Sequence, residues 1–302
     1  MTAIPRRLFC SDAARLRGDD NTATAGRTDV WLLVEFPGTW GRDPLHDATL
    51  PAPVRDALTR ATRAIARSRL LFIRRRHAPS VGCRVYVART APFAAVTSLQ
   101  LESLEDVANL DFVALSERPA ESDAPMHELV LICTHGQRDS CCGRRGYPLY
   151  DALCRRAELD VWQCSHVGGD RFAANAVVLP WGLFYGPVET AQSDAFADSI
   201  LRGEILVDAF RGRSSFSRPA QAAETFVRRA SGIVGRDALR VVAREPLPDG
   251  RFRVVLRDDA ATLHDVTLEQ FTAEESAMLT CTATAANPIP QFRMTGYTTR
   301  PA

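Results

Sequence analysis

Lysine is absent from this 302-residue chain, so all 37 of its basic side chains are arginine. That absence excludes every mechanism built on a lysine amine: the phosphate lysine of a P-loop, a Schiff base and a lysine general base. An excess of one charge sign is also missing. The net charge of +1 argues against nucleic acid or an anionic membrane as a broad electrostatic partner, and Arg74-Arg75-Arg76 reads as a solvated strand end. No apolar run is long enough to cross a bilayer, because the longest, 173–188, is broken by Pro180 and Pro187. Residues 1–12 are polar and arginine-rich, with nothing like the apolar core of a secretory signal. A cytoplasmic location is the expectation, and in a reducing compartment clustered cysteines serve metals or catalysis before disulfides.

Hydrophobic residues make up 46% of the chain and charged residues 24%, ordinary for a folded protein with a large core. The pattern is α/β. Its first segment, 1–124, opens on the apolar run Val30-Trp31-Leu32-Leu33-Val34, followed by an amphipathic helix over 53–67 and strands at 70–74, 84–88 and 94–99. The polar stretch 116–125 reads as a linker. The second segment, 125–215, repeats the order: strand 127–133, helix 147–157, strand 161–164, a short helix over 170–175, strands near 177–179 and 183–186, and a helix over 188–203. The shared order hints at a duplication. A third, α+β region, 216–302, begins with a helix over 220–234 and continues in strands at 241–244, 252–257 and 266–270. Cys281 falls in its last element, where nothing carries evident chemistry.

Five of the eight cysteines and two of the six histidines lie between Cys133 and His166. Thiolate and imidazole donors at loop ends, with glycine allowing close backbone approach, are what a small iron or zinc centre requires. Cys133 ends a strand and Cys142 opens a helix, where free amides and the helix dipole favour a thiolate. Cys141 points elsewhere, since neighbours at a helix start diverge, and Cys154 reads as core. His166 stands just before Gly168-Gly169 and joins the thiols as a ligand candidate, while His135 reads as a supporting loop residue. Cys164, two residues before His166 on an extended strand, is the fourth donor chemistry prefers. Asp170 reads first as a helix cap and is the alternative fourth ligand. Arg138 and Asp139 read as a local ion pair, and Arg171 as an offset to cluster charge.

These residues carry a resemblance. The blocks Cys133-Thr-His-Gly-Gln-Arg-Asp-Ser-Cys141-Cys142 and Trp162-Gln-Cys164-Ser-His166-Val-Gly-Gly-Asp170-Arg-Phe-Ala-Ala-Asn175 resemble the sucrase/ferredoxin-like family, a branch of the thioredoxin-like 2Fe-2S ferredoxins. The block from Trp31 to Gly38, with Trp40-Gly-Arg-Asp43, looks like bacterial members. The resemblance implies a thioredoxin-like metal-binding domain at 125–215 that holds a 2Fe-2S cluster and moves single electrons, preceded by the N-terminal α/β segment whose element order hints at a duplicate. In the fungal branch two cysteines hold one iron and a His-x-x-x-His turn the other. Carried across, these fall on Cys133, Cys142 and His166, with Asp170 where the second histidine would stand. The family's sucrase label finds no carboxylate pair to support it.

The expected function is thus 2Fe-2S binding and ferredoxin-like electron transfer between redox donor and acceptor proteins, an electron carrier rather than an enzyme with its own substrate. Two alternatives stand beside it. One is a thiol redox enzyme using Cys133 and Cys142, which lacks the C-x-x-C spacing; the other is a structural zinc module, or a site without metal.

Overall fold

A computed structural model describes residues 8–76, 82–91, 93–117 and 128–302. Most of the expected linker, 118–125, and residues 1–7 of the N-terminal stretch lie outside them. Helix α1 (Cys10–Arg17) precedes β1 (Val30–Glu35), then α2 (Pro44–Asp47) and α3 (Ala52–Ala64) lead to β2 (Ser68–Arg74), β3 (Cys83–Arg89), β4 (Ala95–Leu101) and α4 (Phe112–Glu117). The order recurs as β5 (Leu129–Cys133), α5 (Ser140–Leu153), β6 (Asp160–Cys164), β7 (Ala176–Leu179), β8 (Leu183–Tyr185) and α6 (Ser193–Leu201), followed by β9 (Phe210–Arg213). Helix α7 (Arg218–Ser231) then leads into β10 (Leu239–Pro246), β11 (Arg251–Asp258), β12 (Thr262–Thr272) and β13 (Pro290–Pro301).

Nine strands form one sheet in the order β4-β3-β1-β2-β6-β5-β7-β8-β9. Within it β1 runs parallel to β2 and antiparallel to β3, as β5 runs parallel to β6 and antiparallel to β7. Each half is therefore a strand-helix-strand unit plus a hairpin, the thioredoxin-like arrangement, and the two halves meet antiparallel where Ile73 pairs with Cys164. The repeated topology answers to the repeated element order read from the sequence. Parallel β5 is covered on both faces, so its run Leu129–Cys133 reads as continuously apolar. Val130 and Ile132 face Leu149, Leu153 and Phe196, whereas Leu129, Leu131 and Cys133 face Trp31, Leu71 and Trp162.

Strands β10 to β13 form a separate antiparallel meander. Helix α7 packs Ala222, Ala223 and Val227 against its Val254, Leu256 and Val266. The buried Glu224 accepts hydrogen bonds from Arg213 of β9 (2.9 Å) and from Arg228 (3.0 Å), so three charges that would be costly alone are joined in the core.

Two sequence expectations need correction here. Helix α5 begins at Ser140, close to the opening at Cys142 and seven residues before the 147–157 span read from the sequence, because Asp139 caps it by accepting a hydrogen bond from the Cys141 N–H (2.9 Å) and the helix continues through Pro148. Cys281 sits in the loop before β13, outside any strand. The Arg74-Arg75-Arg76 run closes β2 and is exposed at Arg76, which pairs with Asp151, while Arg74 lies over Trp40 and Arg75 lies over Trp162 and pairs with Asp160. Among the described residues no helix is long and apolar enough to cross a membrane.

Candidate metal centre

The site begins with close packing between a strand end and a helix start. Gly146 lies against the Cys133 carbonyl, where a Cβ would stand 2.0 Å from the oxygen. That contact brings the first turns of α5 over the end of β5. Cys133 Sγ, Cys142 Sγ and a ring nitrogen of His166 consequently all lie within 4.8 Å of one another. His166 Nδ1 is 3.9 Å from Cys142 Sγ.

The 165–175 turn that supplies the histidine is held from outside by buried arginines. Gly168 and Gly169 adopt left-handed φ values of 86° and 81°, and a Cβ on Gly169 would meet Arg211 Nη2 at 2.2 Å. Arg211, 2% exposed, donates to the Gly168 carbonyl (3.0 Å), to Asn175 Oδ1 (2.7 Å) and to the Thr24 carbonyl (2.8 Å). Arg69 donates to the His166 carbonyl (2.8 Å). The His166 N–H donates to His135 Nδ1 (3.2 Å), and His135 Nε2 donates to the Gly41 carbonyl (2.7 Å). Both ring nitrogens of His135 are thus engaged, and it acts as the supporting loop residue the sequence suggested.

Asp170 departs from its expected role. Gly169 occupies the cap position of the short turn, and the Asp170 carboxylate instead reaches Cys142 Sγ (3.5 Å) and His166 Nδ1 (3.3 Å). Cys164 is level with Cys133 across the parallel β5–β6 pair but is not among the three mutually convergent donors. Cys141 diverges from Cys142 and faces Cys10 and Cys281, a cluster with no signal in the sequence beyond the cysteine count. Cys154, expected in the core, is exposed at the end of α5, where the helix runs out before the residue can turn inward. Arg171, within the turn, pairs with Asp19, and Arg69 and Arg211 are the arginines that hydrogen-bond the turn's backbone.

The electrostatics favour one negative charge on the thiol pair. The Cys142 thiol, followed by His166, donates to Cys133 and holds it well below the ordinary thiol range; burial opposes this and loses. Cys142 is pushed up in turn, by that same hydrogen bond and by burial. Burial pushes the Asp170 carboxyl up to about 6. His166 is pulled down by burial, but the Cys133 hydrogen bond and charge outweigh this and raise it. Cys133 and Cys142 are 0% and 1% exposed, whereas His166 lines an open cleft of about 290 Å³ with Arg42, Asp43, Phe72 and Arg138. Two thiols, an imidazole and a carboxylate in one buried pocket, with backbone and side-chain donors supporting the histidine, form a donor set that fits a metal centre.

Fold and site together define a thioredoxin-like chain with a convergent Cys/His donor cluster. The chain belongs to the sucrase/ferredoxin-like family, whose sequence model matches residues 22–212. Among named proteins it is similar to Altered inheritance of mitochondria protein 32 of Clavispora lusitaniae, 33% identical over 109 residues that cover 32% of this chain and 40% of that one. The same protein of Meyerozyma guilliermondii is 34% identical over 96 residues, covering 28% of this chain and 34% of that one. The match thus spans less than half the length of these relatives. A solved structure, a thioredoxin-like [2Fe-2S] ferredoxin from Aquifex aeolicus, aligns over 28% of this chain and 89% of its own with 16% identity and a TM-score of 0.26. The expectation of bacterial kinship is corrected by these relatives, which are yeast proteins.

Proposed function

We propose that this protein binds a 2Fe-2S cluster and works as a ferredoxin-like single-electron carrier. The observation that carries this reading is the convergence of Cys133, Cys142 and His166, from two turns far apart in sequence, within 4.8 Å of one another. Cys133 and Cys142 would provide the thiolates and His166 the imidazole. Asp170 is the better-placed fourth donor because it already touches both Cys142 and His166, with Cys164 the alternative. A bound cluster would supply a one-electron couple whose potential a histidine ligand raises above that of an all-thiolate cluster.

The chain's own residues would then do three things. The apolar surround of Leu131, Trp162 and Val167 keeps the thiolates dry. Arg69 and Arg211 fix the histidine turn and set positive charge beside it. His166, with 21% of its side chain exposed, is the donor nearest the cleft and marks the face where a redox donor or acceptor protein would approach. Arg42 and Arg138 on that rim favour an acidic partner surface, and the net charge of +1 speaks against nucleic acid or a membrane. A reducing cytoplasm suits such a thiol site.

A thiol-disulfide enzyme on the same residues is disfavoured by access, since an attacking thiolate must reach its substrate and Cys133 is fully buried. The test is anaerobic purification followed by iron, sulfide and zinc analysis with visible absorption. Equimolar iron and acid-labile sulfide, lost together in Cys133→Ser and Cys142→Ser, supports the proposal. Wild-type protein without sulfide, or with zinc alone at these residues, overturns it.

A further inference from the structure

A second cluster of soft donors lies on the far side of the α5 N-terminus. Cys10 from α1, Cys141 from α5 and Cys281 from the loop before β13 bring their sulfurs into a triangle. Cys10 and Cys141 are 3.5 Å apart, Cys141 and Cys281 3.3 Å, and Cys281 and Cys10 3.6 Å. The Asp139 carboxylate stands beside it, 3.9 Å from Cys10 Sγ. All four ligand atoms lie within 4.8 Å of one another. We infer that Cys10, Cys141 and Cys281 form a second, mononuclear site for a thiophilic divalent ion of the zinc class, with Asp139 or water completing the tetrahedron.

Three features favour an ion over three cysteines packed as small hydrophobes. A tetrahedral ion with metal–sulfur bonds of about 2.3 Å sets sulfur–sulfur edges of about 3.8 Å, and the three thiols, now joined by S–H···S contacts of 3.3–3.6 Å, need move apart by no more than half an ångström to reach it. The surround is polar where a metal–thiolate site needs it: the Ser11 N–H points at Cys141 Sγ (3.5 Å), and Asp139 is held in place by the Cys141 N–H (2.9 Å) and the Cys281 N–H (2.7 Å). Finally there is a way in. Cys141 is buried, but Cys281 is partly exposed, and Cys10 lines a cleft of about 370 Å³ with Arg17, Glu275 and Thr280.

Such an ion would staple three remote parts of the chain. Cys10 and Cys281 are separated by 271 positions, so closing that loop through a metal constrains the unfolded chain strongly. It would also fix the start of α5, whose next residue is Cys142. The second site is therefore structural in kind and sits back to back with the first, while sharing none of its ligands.

The test uses the full chain expressed with zinc in the medium and desalted anaerobically. One zinc per chain is expected, lost in Cys10→Ser and in Cys281→Ser and retained in Cys133→Ser. Zinc lost in Cys133→Ser but kept in Cys10→Ser would place it at the first site and overturn the inference. Because a serine variant can misfold, wild-type protein is also alkylated with and without a chelator and mapped by mass spectrometry. Protection of Cys10, Cys141 and Cys281 together, released together by the chelator while exposed Cys154 reacts throughout, is the expected pattern. Equal reactivity with and without chelator, or a disulfide joining any two of the three, overturns it. Iron and sulfide in the same samples report separately on the first site.

Discussion

Gly146 is pressed against the Cys133 carbonyl so closely that no side chain fits between α5 and the end of β5. This contact sets how near the helix comes to the strand, and so whether Cys142 meets Cys133. Gly146→Ala is expected to destabilise the protein by about 3 kcal/mol or more, since the obstacle is backbone and not a flexible side chain. Chemical denaturation checks this. A variant as stable as wild type, with unchanged metal content, would show that the packing does not position the site.

Arg211 holds the opposite side of the site. Replacing it with leucine strands the buried acceptors at Gly168, Thr24 and Asn175, which is expected to cost about 3 kcal/mol. Lysine does not rescue it, because one ammonium cannot reproduce the planar fork that spans three acceptors. The melting temperatures of the two variants should both fall well below wild type.

His135 joins two backbone groups, the Gly41 carbonyl and the His166 N–H. His135→Ala leaves both without that partner and is expected to cost about 1–3 kcal/mol while loosening His166. If His135 were itself a ligand, its loss would abolish metal binding outright. The prediction is weaker retention with the same ligand spectrum.

Asp170 gives the metal-free protein a pH signature. Its carboxyl is raised by burial from 3.8 to about 6, so between those values the unfolded chain has lost the proton and the folded chain has not. The folded state is therefore penalised as pH rises through that window, fully above about 6 and not at all below about 4. Asp170→Asn removes the penalty, and metal-free variant protein is expected to be more stable than wild type by about 1–3 kcal/mol at neutral pH. The two should converge near pH 4. A stability difference independent of pH would contradict the assignment.

Much of this was legible in the sequence because the first site is assembled by local rules. Cys133 at a strand end, Cys142 at a helix start and His166 before two glycines each announce a turn where function gathers in a parallel sheet. The start of α5 was misread because Gly146 and Pro148 look like punctuation, whereas the Asp139 cap seven residues earlier governs. The second cluster was illegible for a different reason. Cys10, Cys141 and Cys281 come from the two ends and the middle of the chain, and no spacing rule links donors that only tertiary packing brings together.

The measurement closest to the central claim is electron paramagnetic resonance of the anaerobically purified protein after one-electron reduction. The signal of a reduced 2Fe-2S centre is expected in wild type, absent from Cys133→Ser and Cys142→Ser, and shifted in His166→Cys as nitrogen is exchanged for sulfur at one iron. A silent wild-type protein, or a signal that ignores the change at His166, would contradict the account.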